Sequence, residues 1–214
     1  MPRYGKNLNY CLQSRNFQIS NESVFQIGLQ LLDILEMIHN AGYIYNDLKL
    51  DNILLGYEQK LPADCTQGNC IEKISINLVD FGFSTRYIDE KSGKHMEPAT
   101  EDYFRGNLLF ASKYHLNFQK TSRRDDIIGL FYLMIFLLNH GDLPGFDWEK
   151  ASKINQENKH KLISKLKQSM PLATWCREPF EKLVDFANEL ESIHYEQKPN
   201  YIKLRNLIHV MIHD

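Results

Sequence analysis

A mainly α-helical domain with a few short β-strands is the fold class this sequence predicts, on three observations. Apolar residues recur at helical spacing in several stretches. The run Ile127 to Leu138 is apolar on every side, the pattern of a helix buried in a core. Only a brief apolar segment, Ile74, Ile76, Leu78 and Val79, reads as a strand.

Composition sets the outer limits. The 214 residues suit one domain, or one large lobe of a bigger one. Hydrophobic residues make up 43% and charged residues 24%, which excludes wholesale disorder, collagen-like repeats and a disulfide mini-scaffold. A net charge of −2 offers no global basic field, so neither nucleic acid nor an anionic membrane is expected as a partner. The buried run is too short for a bilayer, which needs about 20 residues, so no membrane span is expected. Met1 to Gly5 lacks the apolar core of a secretory signal. Of the four cysteines, Cys11, Cys65, Cys70 and Cys176, only Cys65 and Cys70 lie close, in a polar loop without a histidine cluster. They read as free thiols of a reducing compartment, and the expected location is intracellular: cytoplasmic, with the nucleus or cytoskeleton left open.

The elements follow in order. Ser20 is placed to cap a helix whose Val24, Ile27, Leu31, Ile34, Leu35 and Ile38 share one face, and Gly42 stops it. Tyr43 to Leu55 is broken by polar residues and reads as a loop between small strands. Gly56 to Glu72 reads as a surface loop. Residues 84–105 carry no period, and long irregular loops of this kind are usually functional or mobile. Asp125 and Asp126 open the buried helix. Amphipathic helices are expected at 150–168, 177–192 and 199–212, with Trp148 and Trp175 anchoring the joins. Lys159, Lys161, Lys165 and Lys167 read as a solvated helix face, and the histidines, including His39 and His115, as structural or exposed.

Chemistry concentrates in three segments: Tyr45-Asn46-Asp47-Leu48-Lys49-Leu50-Asp51-Asn52, Asp80-Phe81-Gly82, and Ser122-Arg123-Arg124-Asp125-Asp126. Asp47 and Asn52 share a loop, and Asp80 follows a strand. An amide oxygen and carboxylates suit a hard cation such as Mg²⁺, which takes few protein ligands and leaves room for phosphates. Lys49, two residues beyond Asp47, points the same way in extended backbone. A proton acceptor beside a cation is a kit for phosphoryl transfer, where positioning and charge stabilisation do most of the chemistry.

In these segments the chain resembles the protein kinase superfamily, through an Asp-x-x-x-x-Asn loop followed by Asp-Phe-Gly. The finer resemblance is to the casein kinase I family. It rests on Met1 to Leu8, on Tyr45 to Gly56, and on Ser122 to Asp126. Leu143 to Trp148 and Lys198-Pro199-Asn200-Tyr201 add to it. The resemblance implies a kinase large lobe (C-lobe) over 1–214. Within it, 1–8 would be a hinge segment, 43–56 the catalytic loop, 80–112 the activation segment, 125–140 the buried central helix and 150–214 the C-terminal helices.

It also implies roles. Asp47 would be the base toward a Ser or Thr hydroxyl of a protein substrate, and Lys49 would meet the γ-phosphate of ATP. Asn52 and Asp80 would hold Mg²⁺. Asp126 would brace the catalytic loop, Arg3 and Tyr4 would offer hinge backbone to adenine, and Leu54 would floor the adenine. Arg123 and Arg124 form a possible anion site for substrate.

Departures mark where the resemblance stops. No G-x-G-x-x-G loop, strand lysine or partner glutamate of a small lobe occurs in these 214 residues. A small lobe or partner protein is therefore expected to cover the hinge side around Leu8, Leu54 and Val79, and the chain alone is expected to be inactive. Tyr45-Asn46 stands where the family has His-Arg, which argues against control by a phosphorylated activation loop. Asn107 stands for a threonine that bonds the catalytic Asp and Lys, and Leu109 for an arginine of an anion site. The expected function is therefore a casein kinase I-type serine/threonine kinase. The alternative is a pseudokinase-like scaffold or structural subunit of a larger assembly.

Overall fold

The computed structural model describes residues 3–176 and 183–213. Helix α1 (Leu8–Gln13) starts at Asn7, whose side chain accepts from Tyr10 N. Helix α2 (Asn21–Asn40) is capped by Ser20 and ends just before Gly42, whose φ of +88° suits glycine. Strand β1 (Tyr43–Ile44) leads through a single 3₁₀ turn (Leu50–Asn52) into β2 (Ile53–Leu55). Strands β3 (Ile76–Leu78) and β4 (Thr85–Arg86) follow.

The strands form two antiparallel pairs, β1 with β4 and β2 with β3. The segment before α1 lies along the other edge of β2. Gly5 N donates to Leu55 O and Leu55 N to Lys6 O, at 2.9 and 3.0 Å.

Short α3 (Lys113–Leu116) precedes α4 (Arg123–Leu138), in which every residue from Arg124 to Leu138 is buried. The all-round apolar sequence of α4 therefore has neighbours on all sides. On one of them packs α2, whose Val24, Ile27, Leu31 and Leu35 are wholly buried. Gly28 of α2 faces Met134 of α4, and a methyl group there would overlap the Met134 sulfur. Beyond α4 come α5 (Trp148–Ser152), α6 (Gln156–Ser169), α7 (Leu183–Glu191) and α8 (Tyr201–His213), the last lying along α2.

Several expectations need correction. The helix expected over 150–168 is two helices, because Asn155 turns its side chain to cap Asn158 N and so restarts the chain at α6. The central helix starts two residues earlier than expected, at Arg123. Residues 177–182 of the helix expected at 177–192 lie outside the described residues. The loop 56–72 is not all surface, since Leu61, Cys65 and Ile71 turn inward and are buried. Leu8, the first residue of α1, is wholly buried and not part of an exposed hinge-side surface, and Leu54 and Val79 are half-buried. Trp175 is buried, as expected of a join, but Trp148 is exposed.

Lys167 departs furthest from its expected solvated face. It is wholly buried, and its ammonium donates to Leu109 O and Ala111 O at 2.5 and 2.7 Å, over the ring of Tyr132. Burial without a carboxylate drives its pKa well below the ordinary lysine value.

Candidate active site

Asp47 sits almost fully buried in the loop between β1 and β2. Lys49 is extended (φ −160°, ψ 155°), so its side chain returns to the same side, and Nζ lies 2.5 Å from Asp47 Oδ2. Asn52, on the 3₁₀ turn, donates from Nδ2 toward Asp47 O, Asp47 Oδ2 and Tyr45 Oη, each at 3.0 Å. The acceptor Asp47 is thereby held in one rotamer from two sides.

The β2–β3 register brings in the third segment. Ile53 pairs with Leu78, and Val79 N donates to Asn52 O at 3.0 Å, so Asp80 is the next residue beyond the pair. Asp80 is exposed and left-handed (φ +62°), with Gly82 N donating to its Oδ1 at 3.1 Å. Asn52 Oδ1 accepts no hydrogen bond among the described residues, because the amide nitrogen makes all the contacts. A free amide oxygen beside an exposed carboxylate is an oxygen donor set that fits Mg²⁺. A bound Mg²⁺ would supply charge neutralisation for phosphate oxygens there.

Asp126, buried near the start of α4, fixes the loop from below. Its Oδ2 accepts from Tyr45 N at 2.6 Å and its Oδ1 from Asn46 N at 2.9 Å. His39 Nε2 is 2.9 Å from the same Oδ2, and Tyr201 Oη closes the chain at 2.6 Å from His39 Nδ1. Asn46 (φ +70°) turns its amide to Phe83 O and Thr85 Oγ1, both at 3.0 Å. Tyr45 is buried, and its hydroxyl donates to Val79 O at 2.5 Å, tying the loop to the residue before Asp80. Burial, opposed by the Asn52 hydrogen bond, holds that phenol well above its ordinary pKa.

The remaining sequence candidates lie elsewhere. Arg3 and Tyr4 are exposed, and among the described backbone bonds none uses either residue. Leu54 bridges Asn7 on the edge of β2. Arg123 donates to Glu196 O at 2.5 Å and covers Tyr87. Arg124 is buried, stacked 3.6 Å from the Tyr114 ring centroid. Asn107 spends its side-chain oxygen on Leu109 N and Phe110 N, at 2.9 and 3.3 Å, and no described bond joins it to Asp47 or Lys49.

Sequence reasoning missed His39 and Tyr201 as supports of the loop. Their signal was a polar ring in a helix whose apolar face is otherwise continuous, where a buried nitrogen needs a partner. Tyr45, noted from the sequence only as a departure from the family's His-Arg, links two of the three segments through its hydroxyl. Among the described residues no helix is long and apolar enough to cross a membrane. A family model described as protein kinase domain matches residues 3–206.

Proposed function

The chain belongs to the protein kinase family, and from that premise we propose that it is the large lobe of a casein kinase I-type enzyme moving the γ-phosphoryl group of ATP to a protein Ser or Thr. The observation that carries this reading is the single hydrogen-bonded cluster of Asp47, Lys49 and Asn52, with Asp80 adjacent through the β2–β3 register.

In this reading the substrate hydroxyl is placed against Asp47. Its oxygen attacks the γ-phosphorus, the bond to ADP breaks, and the proton passes to the Asp47 carboxylate. Asn52 keeps that carboxylate in place, so little reorganisation is needed. Lys49, 27% exposed and already beside Asp47, turns its ammonium to the transferring group. Asn52 Oδ1 and Asp80 would hold Mg²⁺, which would supply charge neutralisation for the phosphate oxygens. The backbone of Arg3 and Tyr4, unbonded among the described residues, meets adenine, with Leu54 beneath it. The glycine-rich loop that covers phosphates is not among these 214 residues, so the reading assigns that cover to other residues of the same protein or to a partner.

The test is phosphotransfer from γ-labelled ATP to casein by the native protein and its Asp47→Asn variant. Transfer should fall at least about 100-fold in the variant, with Mg-ATP binding kept. Asp80→Ala should lose the Mg-ATP stabilisation, which reaches about 2.7 kcal/mol at a hundredfold excess over Kd. Undiminished transfer by Asp47→Asn would overturn the assignment.

One feature favours a second reading, a pseudokinase-like scaffold. Asn107 is turned to its own backbone instead of to Asp47 and Lys49. This reading is the better one if the native protein shows neither transfer nor a Mg-ATP shift in melting temperature.

A further inference from the structure

A trough of about 620 Å³ lies between the segment before α1, α1 itself and the loop after β2. Three cations border it: Lys6 on the segment before α1, Arg15 in the turn after α1, and Lys60 on the loop after β2. Among the described residues none of the three has a carboxylate within ion-pair distance. Glu58 is the one acidic residue in the lining. In a chain of net charge −2, this is a local excess of positive charge around a concave surface, where field lines are focused.

The rest of the trough is aromatic. Tyr4, Tyr10 and Tyr57 line it and are exposed, and Lys6 Nζ sits 3.7 Å from the Tyr10 ring centroid. Its walls are fixed before anything binds. Arg15 donates from one guanidinium nitrogen to Pro62 O at 2.6 Å and to Cys65 Sγ at 3.2 Å, fastening the loop to the turn that follows α1. Gln59 fastens the same loop further on, accepting from Ser75 N at 2.9 Å and donating to Lys73 O at 3.3 Å.

We propose that this trough is a docking site for an acidic segment of a partner polypeptide, its carboxylates spread over Lys6, Arg15 and Lys60 and an apolar side chain laid against the tyrosines. The layout favours a peptide over a small anion. The cations belong to three different segments, one guanidinium nitrogen of Arg15 is already spent on Pro62 O and Cys65 Sγ, and the three exposed tyrosines of the lining give nothing to a phosphate. Its lining includes neither Asp47 nor Asp80, and of the residues given to adenine only Tyr4, so the site is tested without nucleotide and apart from phosphotransfer.

The probe is a fluorescein-labelled peptide alternating Glu and Leu, titrated with the full chain without nucleotide and read by fluorescence anisotropy. Saturable binding is expected, weakening as salt rises, with no binding of the matching Lys–Leu peptide. Lys6→Glu combined with Lys60→Glu should weaken binding at least about tenfold. Both lysines are exposed, so the variant should keep the wild-type melting temperature. Tyr10→Ala should weaken binding at unchanged salt dependence. Absence of binding, or equal binding by the charge-reversed variant, overturns the proposal. So does displacement of the peptide by inorganic phosphate alone, which would make the trough a small-anion site.

Discussion

Asp126 serves three donors at once, two backbone amides of the loop that carries Asp47 and the ring of His39. A buried carboxylate in that position is stabilised by its hydrogen bonds, and its partners depend on it in return. Asp126→Ala would strand Tyr45 N, Asn46 N and His39 Nε2 in a dry interior. The expected cost is about 3–5 kcal/mol, read from urea unfolding, and a loss below about 1 kcal/mol would mean that water replaces the carboxylate. That Asp47 and Asn52 meet, with Asp80 just beyond the paired strand, was legible in the sequence from their order and spacing. The contacts of Asn107 and Lys167 were not. Residue type alone cannot say whether an amide oxygen turns to its own backbone or a lysine finds two carbonyls in a core. Lys159, Lys161 and Lys165 share a sequence pattern with Lys167, and only three-dimensional packing separates them.

At the scale of elements, hydropathy located α2 and α4 because each buries a long apolar surface, and it failed where a polar side chain decides the boundary, as Asn155 does for α6. Packing between α2 and α4 depends on one missing methyl group. Gly28→Ala would gain about 1 kcal/mol of helix propensity but would push against the Met134 sulfur, and overpacking of this kind costs about 1–3 kcal/mol. The single variant should therefore be neutral to destabilised. With Met134→Ala the new methyl occupies part of the vacated space, so the double variant should be more stable than the sum of the two singles by about 1 kcal/mol or more. A double-mutant cycle in urea measures this directly, and strict additivity would mean that Met134 moves aside without cost.

For the whole molecule, the same interior that positions the site sets a limit on acid tolerance. His115 is packed against Phe104, with ring centroids 4.6 Å apart, and burial pushes its imidazole down to about 4, aided by His160 and Lys167 and opposed by Asp126. In the unfolded chain the same ring titrates near its ordinary value of about 6.5. Between these values the unfolded state holds a proton that the folded state refuses, so stability is present above about pH 6.5 and is lost as pH falls toward 4. The loss from this one ring between about pH 7 and about pH 4.5 is about 2 kcal/mol. Asp125 acts in the opposite direction, because burial raises its pKa and the folded state takes up a proton on acidification. The two contributions are separated by comparing the protein with its His115→Leu variant, in which Asp125 is unchanged. Urea unfolding at both pH values should show the variant losing about 2 kcal/mol less than the wild type. Equal acid sensitivity in the two proteins would mean that His115 takes up its proton at the same pH folded and unfolded, as it would if the pull of Asp126 on the imidazole offset its burial.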